Sequence, residues 1–437
     1  MKQPNFIVIL TDDQGYGDLS CMGAEDFVTP NLDRLAASGA RFTSWYASSP
    51  VCSPSRASLL TGRYPAKAGV RGILPGHREA WGLRPEVPTL SSELKKLGYQ
   101  TAHFGKWHLG VREECRPHQH GFDEWMGFLS GCIDYYSHVF YWGLGNWDEP
   151  VNPVHDLWRN NEEFFEDGRY FTEMITECAV DYIRKAAQKD RPFFVYVAYN
   201  APHYPMHAPQ KYTKRFQHLP WDRRMMAAML SAVDDGVGDI VDELERQGML
   251  EDTCIFFQSD NGPSRESRNW MDGKEDPYYG GKAGQLRGHK FSLFEGGIRV
   301  PAIISWPQRI PAGQVVHEAG IATDVFPTLI KAAGGDISGY ECDGMDILPA
   351  LCGEGSIPER ELFWEYEEQT AFREGDFKLV LNGRLEEGTP PEDAVHLANL
   401  ADDLGERVNL KDVYPEITER MVKAAVKWRQ GMEERRG

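Results

Sequence analysis

Runs of apolar, β-branched and aromatic residues without polar alternation recur through the first part of the chain. Residues 5–10 (NFIVIL), 192–199 (PFFVYVAY) and 254–258 (CIFFQ) have the pattern of strands covered on both faces, and 99–104 (YQTAHF) reads as a further strand. Stretches of helical period, 91–97, 171–189 and 223–247, lie between them, and this alternation predicts a large, mostly parallel β-sheet flanked by helices. Around 338–358 the chain turns rich in Gly, Pro and acidic residues. Beyond that point 362–366, 370–373 and 378–382 read as antiparallel strands and 414–434 as one amphipathic helix. The expected class is therefore α/β, with a catalytic unit over 1–355 and a smaller α+β subdomain over 356–437. A chain of 437 residues suffices for both cores.

Chemistry gathers where the predicted strands end. The first strand runs into Asp12 and Asp13, and 254–258 runs into Asp260 and Asn261. Ligands of open α/β sheets bind at the carboxyl ends of strands, and oxygen-rich clusters there suit calcium or magnesium, although either pair alone could simply form a turn. Gly105-Lys106-Trp107-His108 follows 99–104, Asn200-Ala201-Pro202-His203 follows 192–199, and Lys290 lies shortly before Glu295-Gly296-Gly297. Each of these cations alone fits a solvated or structural role. Cys52-Ser53-Pro54-Ser55-Arg56 leads without a break into Ala57-Ser58-Leu59-Leu60. With Ser53 as N-cap and Pro54 at the first helical position, Cys52 is expected just before a helix N-terminus, a place that favours anions. A cysteine there is either a low-pKa thiolate nucleophile or a small buried residue.

The pentapeptide fits the CxPxR signature of type I, formylglycine-dependent sulfatases of the alkaline phosphatase-like superfamily, and the chain resembles that family over nearly its whole length. The resemblance implies that a formylglycine-generating maturation enzyme oxidises Cys52. It implies a divalent metal, expected to be calcium with magnesium as the alternative, on Asp12, Asp13, Asp260, Asn261 and the modified Cys52, with Arg56 holding the formylglycine. The implied reaction is attack on sulfur by one hydroxyl of the hydrated aldehyde, helped by the metal and Asp260. His203 or Lys290 protonates the leaving alkoxide, and Lys106, Lys290, His108 and the metal neutralise the sulfate oxygens. His108 then deprotonates the second hydroxyl, which expels sulfate. His289 departs from the family pattern, which has a small residue beside the lysine.

Charge narrows the partners. With 47 basic and 66 acidic side chains the formal net charge is −19, and no basic run stands out, so nucleic acid and anionic membranes are poor partners. An anionic substrate must be met by local charge. The first residues are too short and polar for a signal peptide, which reads as cytoplasmic, or as periplasmic or secreted if a leader was trimmed. Eight widely spaced cysteines form no disulfide framework, and reduced thiols are expected. Between 122 and 158 lie Trp125, Tyr135, Tyr136, Tyr141, Trp142, Trp147 and Trp158 with many glycines. The stretch is similar to the substrate-side insertion of carbohydrate and aryl sulfatases and points to a sulfated sugar stacked on flat rings, with core packing as the competing role for about half of them. Rival readings are a phosphonate or phosphate ester hydrolase of the same superfamily and an inactive sulfated-glycan binding module. A cysteine-dependent phosphatase is disfavoured, because its arginine would stand about six residues after the cysteine and Arg56 is four away.

Overall fold

The computed structural model describes residues 3–140, 154–266 and 279–435. Among these, ten strands form the central sheet. Its middle is parallel, with Thr253–Ser259, Asn5–Thr11, Phe193–Ala198, Gln100–Lys106 and Glu124–Phe128 side by side in that order. Ala302–Ser305, Ala40–Phe42 and Gln314–Val316 continue one edge, and Trp158–Arg159 and Glu162–Glu163 the other. Ala302–Ser305 and Trp158–Arg159 run against their neighbours.

The unbroken apolar runs are explained by burial on both faces. Ile7, Ile9, Val195, Val197, Ile255 and Phe257 pack under the helices Phe171–Ala186 and Trp221–Arg246. Phe6, Val8, Leu10, Phe194, Tyr196 and Phe256 pack under Cys52–Thr61, Leu90–Lys96 and Val325–Ala332. Each such side chain taken from water contributes about 1.5–3 kcal/mol, which is why strand order follows the apolar runs.

Several expectations need correction. The helix begins at Cys52 itself, with Val51 as N-cap, so Ser53 and Pro54 lie inside its first turn. The Ser53 hydroxyl instead accepts the Leu74 N–H at 3.1 Å. The strand expected over 99–104 continues through Gly105 and Lys106. Part of the stretch expected to be a sugar-facing loop is strand Glu124–Phe128, and Trp125, Tyr135 and Trp158 are buried in the core. Tyr136 is half-buried, while Tyr141, Trp142 and Trp147 lie outside the described residues.

The C-terminal part is a four-stranded antiparallel sheet, Glu361–Tyr366, Gln369–Glu374, Phe377–Gly383 and Asp393–Asn399, covered by the helix Pro415–Glu433. The last of these strands was not foreseen. Leu362, Trp364, Phe372, Leu379 and Met421 share one core with Tyr46, Val51, Phe291 and Phe294. Beneath it, unexposed Lys378 reaches to 2.9 Å from Glu295 and 3.1 Å from Glu406, and Arg299 lies 3.0 Å from the other Glu295 oxygen. All eight cysteines are free thiols. Among the described residues no helix is long and apolar enough to cross a membrane.

Candidate active site

Strand register gathers the motif residues. Thr11 pairs with Ser259, Leu10 with Ala198, and Ala198 with Gly105, so four neighbouring strands end level with one another. The segments just past those ends carry Asp12 and Asp13, Asp260 and Asn261, His203 and His108, and Lys106 closes its own strand. The helix Cys52–Thr61 brings its first residue to the same place, and Lys290 reaches Asp13 there from a turn beyond residue 288. All ten residues singled out from sequence are brought together and buried, His203 being the most exposed at 4%.

Their contacts form a charged network beside a Cys52–His108 pair. Arg56 donates from Nε (3.0 Å) and Nη2 (2.7 Å) to Asp260 Oδ2, and from Nη1 to the Lys106 carbonyl at 3.0 Å. Lys106 Nζ donates to Asp12 Oδ2 at 2.6 Å. Lys290 Nζ donates to Asp13 Oδ2 at 3.0 Å and lies 3.4 Å from His203 Nε2. The N–H on His203 Nδ1 donates to the Tyr204 carbonyl at 2.7 Å, which leaves Nε2 as a lone pair facing Lys290. Sγ of Cys52 lies 3.2 Å from His108 Nδ1. Both Asp13 (φ 63°) and His108 (φ 51°) occupy the left-handed region, strain of a kind that persists where the surroundings over-determine the geometry.

Burial sets the charge states. It pushes His108 well below its ordinary value, reinforced by the Lys106 ammonium, and it does the same to His203, reinforced by Lys290 and Lys106. Both rings are therefore neutral at physiological pH. Burial also opposes the Lys290 charge, but the Asp13 and Glu266 carboxylates outweigh it and hold Lys290 well above its usual range. For Lys106 burial is likewise outweighed, by Asp12. The Cys52 thiol is raised by burial, so as a plain cysteine it is a poor nucleophile.

A divalent cation fits the acidic end of this network. Asp12 Oδ1 and Asn261 Oδ1 are buried and accept no hydrogen bond among the described residues, with Arg56 Nη2 3.6 Å from the former. Asp13 Oδ1 accepts from Asn261 Nδ2 at 2.7 Å, and Asp260 Oδ1 accepts the Asp13 N–H at 3.2 Å, so the four oxygen-bearing side chains converge. Ligand atoms of Asp12, Asp13 and His203 lie within 4.8 Å of one another. Carboxylate and amide oxygens without donors are the coordination that hard cations take.

Sequence reasoning missed two neighbours. Glu266 accepts from Lys290 Nζ at 2.6 Å, and no motif around it signals this. Tyr135 donates from its hydroxyl to the Asn200 (2.8 Å) and His203 (2.9 Å) carbonyls, fixing the loop that presents His203. An aromatic in a glycine-rich stretch reads equally as a ring-stacking surface. His289 is buried near Glu386, at 3.7 Å, and leaves Lys290 in place.

A mostly parallel sheet covered on both faces, with a buried cysteine, a cluster of acids and two lysines gathered beside its strand ends, fits a hydrolase for anionic esters. The chain belongs to the sulfatase family, whose profile matches residues 4–335. It is 36% identical over 379 residues to N-acetylgalactosamine-6-sulfatase of Canis lupus familiaris, covering 83% of this chain and 68% of that protein. It is 35% identical over 454 residues to arylsulfatase A of Homo sapiens, covering 94% of this chain and 83% of that protein. Among solved structures, Ps i-CgsB in complex with k-i-k-neocarrahexaose superposes with a TM-score of 0.85 at 32% identity, covering 98% of this chain and 92% of that one.

Proposed function

We propose that this sulfatase cleaves sulfate monoesters of a sulfated carbohydrate, with residue 52 as nucleophile after oxidation of Cys52 to formylglycine by a maturation enzyme. The carbohydrate is supported by similarity to N-acetylgalactosamine-6-sulfatase and to a structure that holds a neocarrahexaose. The observation that carries the chemistry is the pairing of Cys52 with a neutral His108 inside a ring of Arg56, Lys106 and Lys290. Formylglycine supplies a hydrated aldehyde, whose two hydroxyls serve attack on sulfur and later release of sulfate. A cation on Asp12, Asp13, Asp260, Asn261 and residue 52, calcium with magnesium as alternative, supplies positive charge against the sulfate oxygens.

The protein's own groups do the rest. Lys106 and Lys290, both held charged, face the anion from two sides and match charge that grows on its oxygens. Arg56, anchored on Asp260 and the Lys106 carbonyl, orients residue 52. His108 takes a proton at Nδ1 from residue 52. The leaving oxygen receives a proton at the Lys290–His203 pair, in which the Lys290 ammonium carries the proton and the lone pair of His203 Nε2 takes it and hands it on as the bond to sulfur breaks.

The test is kcat/KM of purified, matured enzyme on sulfated mono- and oligosaccharides, an aryl sulfate, and phosphate and phosphonate monoesters. Sulfated sugars are expected to lead. Faster turnover of phosphonate or phosphate esters would overturn the reading, and no turnover of any ester by protein with formylglycine at position 52 would support a glycan-binding role instead.

A further inference from the structure

We propose that His138, His155 and Asp167 form a second metal site, for a divalent transition ion of the zinc class. One ligand atom from each lies within 4.8 Å of the others, and the group shares no residue with the acidic cluster at Asp12 and Asp13. Donors about 2.1 Å from a common ion stand at most about 4.2 Å apart, so the exposed Asp167 carboxylate needs only a small inward move.

The hydrogen bonds of the two rings carry the argument. His138 is fully buried, and its Nε2 lies 3.2 Å from the Arg169 carbonyl oxygen. A carbonyl only accepts, so the proton is on Nε2 and Nδ1 is a lone pair. That Nδ1 is buried with no hydrogen-bond partner among the described residues. His155 mirrors it: Nδ1 lies 3.1 Å from Glu163 Oε1, and Nε2 is buried without a partner among the described residues. Each imidazole is thus oriented at one nitrogen by an oxygen acceptor while the other nitrogen carries a lone pair, the outer-shell pattern of metal-ligating histidines. Arg78 Nη2 donates to Glu163 Oε1 (3.1 Å) and to the His155 carbonyl (3.2 Å), so that acceptor is itself held.

The backbone is built around the same point. Strand Val139–Phe140 pairs with Val154–His155, setting His155 opposite Val139. His138 has φ 54°, strained for a side chain of its size, and the Gly168 N–H donates to the Tyr136 carbonyl at 2.8 Å, which fixes the turn carrying Asp167. Buried ring nitrogens without a donor among the described residues are costly, and a cation bound to them removes that cost. Two imidazoles and one carboxylate select zinc, cobalt or nickel over calcium, and leave one tetrahedral position for water. The ion fastens the segment that supports the active site from below, because Tyr135 holds the His203 loop and Gly131 lies against His108, where an added Cβ would fall 2.8 Å from the ring.

The test uses the full chain, stripped with chelator, resupplied with excess Ca²⁺ and titrated with Co²⁺ as optical probe. One equivalent of Co²⁺ is expected to give visible ligand-field absorption that Zn²⁺ displaces. His155→Ala and Asp167→Asn, both reaching the surface and so able to fold, are expected to weaken it at least about tenfold. Asp13→Asn should leave it unchanged. Absence of the absorption in wild type, or equal affinity in wild type, His155→Ala and Asp167→Asn, overturns the site. Loss of the signal in Asp13→Asn would assign the cobalt to the acidic cluster and overturn it too.

Discussion

Nδ1 of His108 stands 3.2 Å from Sγ of Cys52, while Nε2 of the same ring lies 3.0 Å from the Leu74 carbonyl oxygen. Because that carbonyl only accepts, the ring proton sits on Nε2, and the basic nitrogen faces residue 52. His108→Ala is expected to lower kcat by about 10²–10⁴-fold with little change in KM. Steady-state kinetics check this. A kcat within about threefold of wild type would remove His108 from proton transfer.

Cys52→Ala and Cys52→Ser, produced alongside the maturation enzyme, are expected to fold and to lose sulfatase turnover. The stability cost of the small deletion in Cys52→Ala is about 1 kcal/mol, read by urea unfolding. Near-normal turnover by either variant would end the covalent scheme. Mass spectrometry of the peptide containing residue 52 should show aldehyde in active wild type.

Lys290 and His203 separate by leaving group. Lys290→Ala removes charge that every ester meets, so aryl and sugar sulfates should both suffer. His203→Ala should damage sugar sulfates much more than aryl sulfates of low leaving-group pKa, since a stable phenolate departs with little protonation. The measurement is kcat/KM across aryl sulfates of graded leaving-group pKa plus one sulfated sugar. A flat dependence in His203→Ala with a steep one in Lys290→Ala would exchange the two roles.

Chelation should abolish turnover and lower the thermal midpoint, with Ca²⁺ restoring both better than Mg²⁺. Burial raises Asp13 to about 7, with Asp12, Glu266 and Asp260 adding to the effect and Lys290 opposing it. A cation must displace that proton, so its affinity falls as pH drops below about 7. Calcium's stabilising increment should therefore be larger at about pH 7.5 than at about pH 5.5. An increment independent of pH would contradict this ligand set.

Acid should destabilise the protein through histidines outside the reaction. Burial holds His103 at about 3 and His120 at about 4, against 6.5 for an exposed ring. The unfolded chain binds protons below pH 6.5 that the folded one refuses, so their contribution is complete above that value and is lost as pH falls. At about pH 5 each has cost about 2 kcal/mol. His103→Phe, which keeps a ring against Tyr196 and Trp107, should reduce the loss between about pH 7.5 and 5 by that amount in urea unfolding. The same loss in wild type and variant would exclude His103 as a cause.

The parallel centre of the sheet was legible because its strands are buried on both faces, and an uninterrupted apolar run survives any register. Short strands toward the end of the sheet such as Ala40–Phe42 and Gln314–Val316 were not, since three residues carry no periodicity. The ten site residues were legible because the motifs sit where strands end, and pairing of Thr11 with Ser259 and Ala198 with Gly105 does the rest. Glu266 and Tyr135 act through contacts made only in three dimensions. Ser53 read as a cap because its side chain suits one, yet the strand-like Val51 takes that position and frees Ser53 for the Leu74 N–H.

Lys378 belongs to the C-terminal sheet and Glu295 to the segment five residues beyond Lys290, and neither is exposed. Pulling the two sheets apart would break the buried Lys378–Glu295 pair, leaving Lys378 on Glu406 and Glu295 on Arg299, and would also bare the apolar faces of Val51 and Phe291. The change of architecture expected near residue 355 should therefore leave a single cooperative unit. Heat should melt the C-terminal strands and the nucleophile's helix in one transition, and a substitution deep in the tail should reach the active site through the anchoring of Lys290.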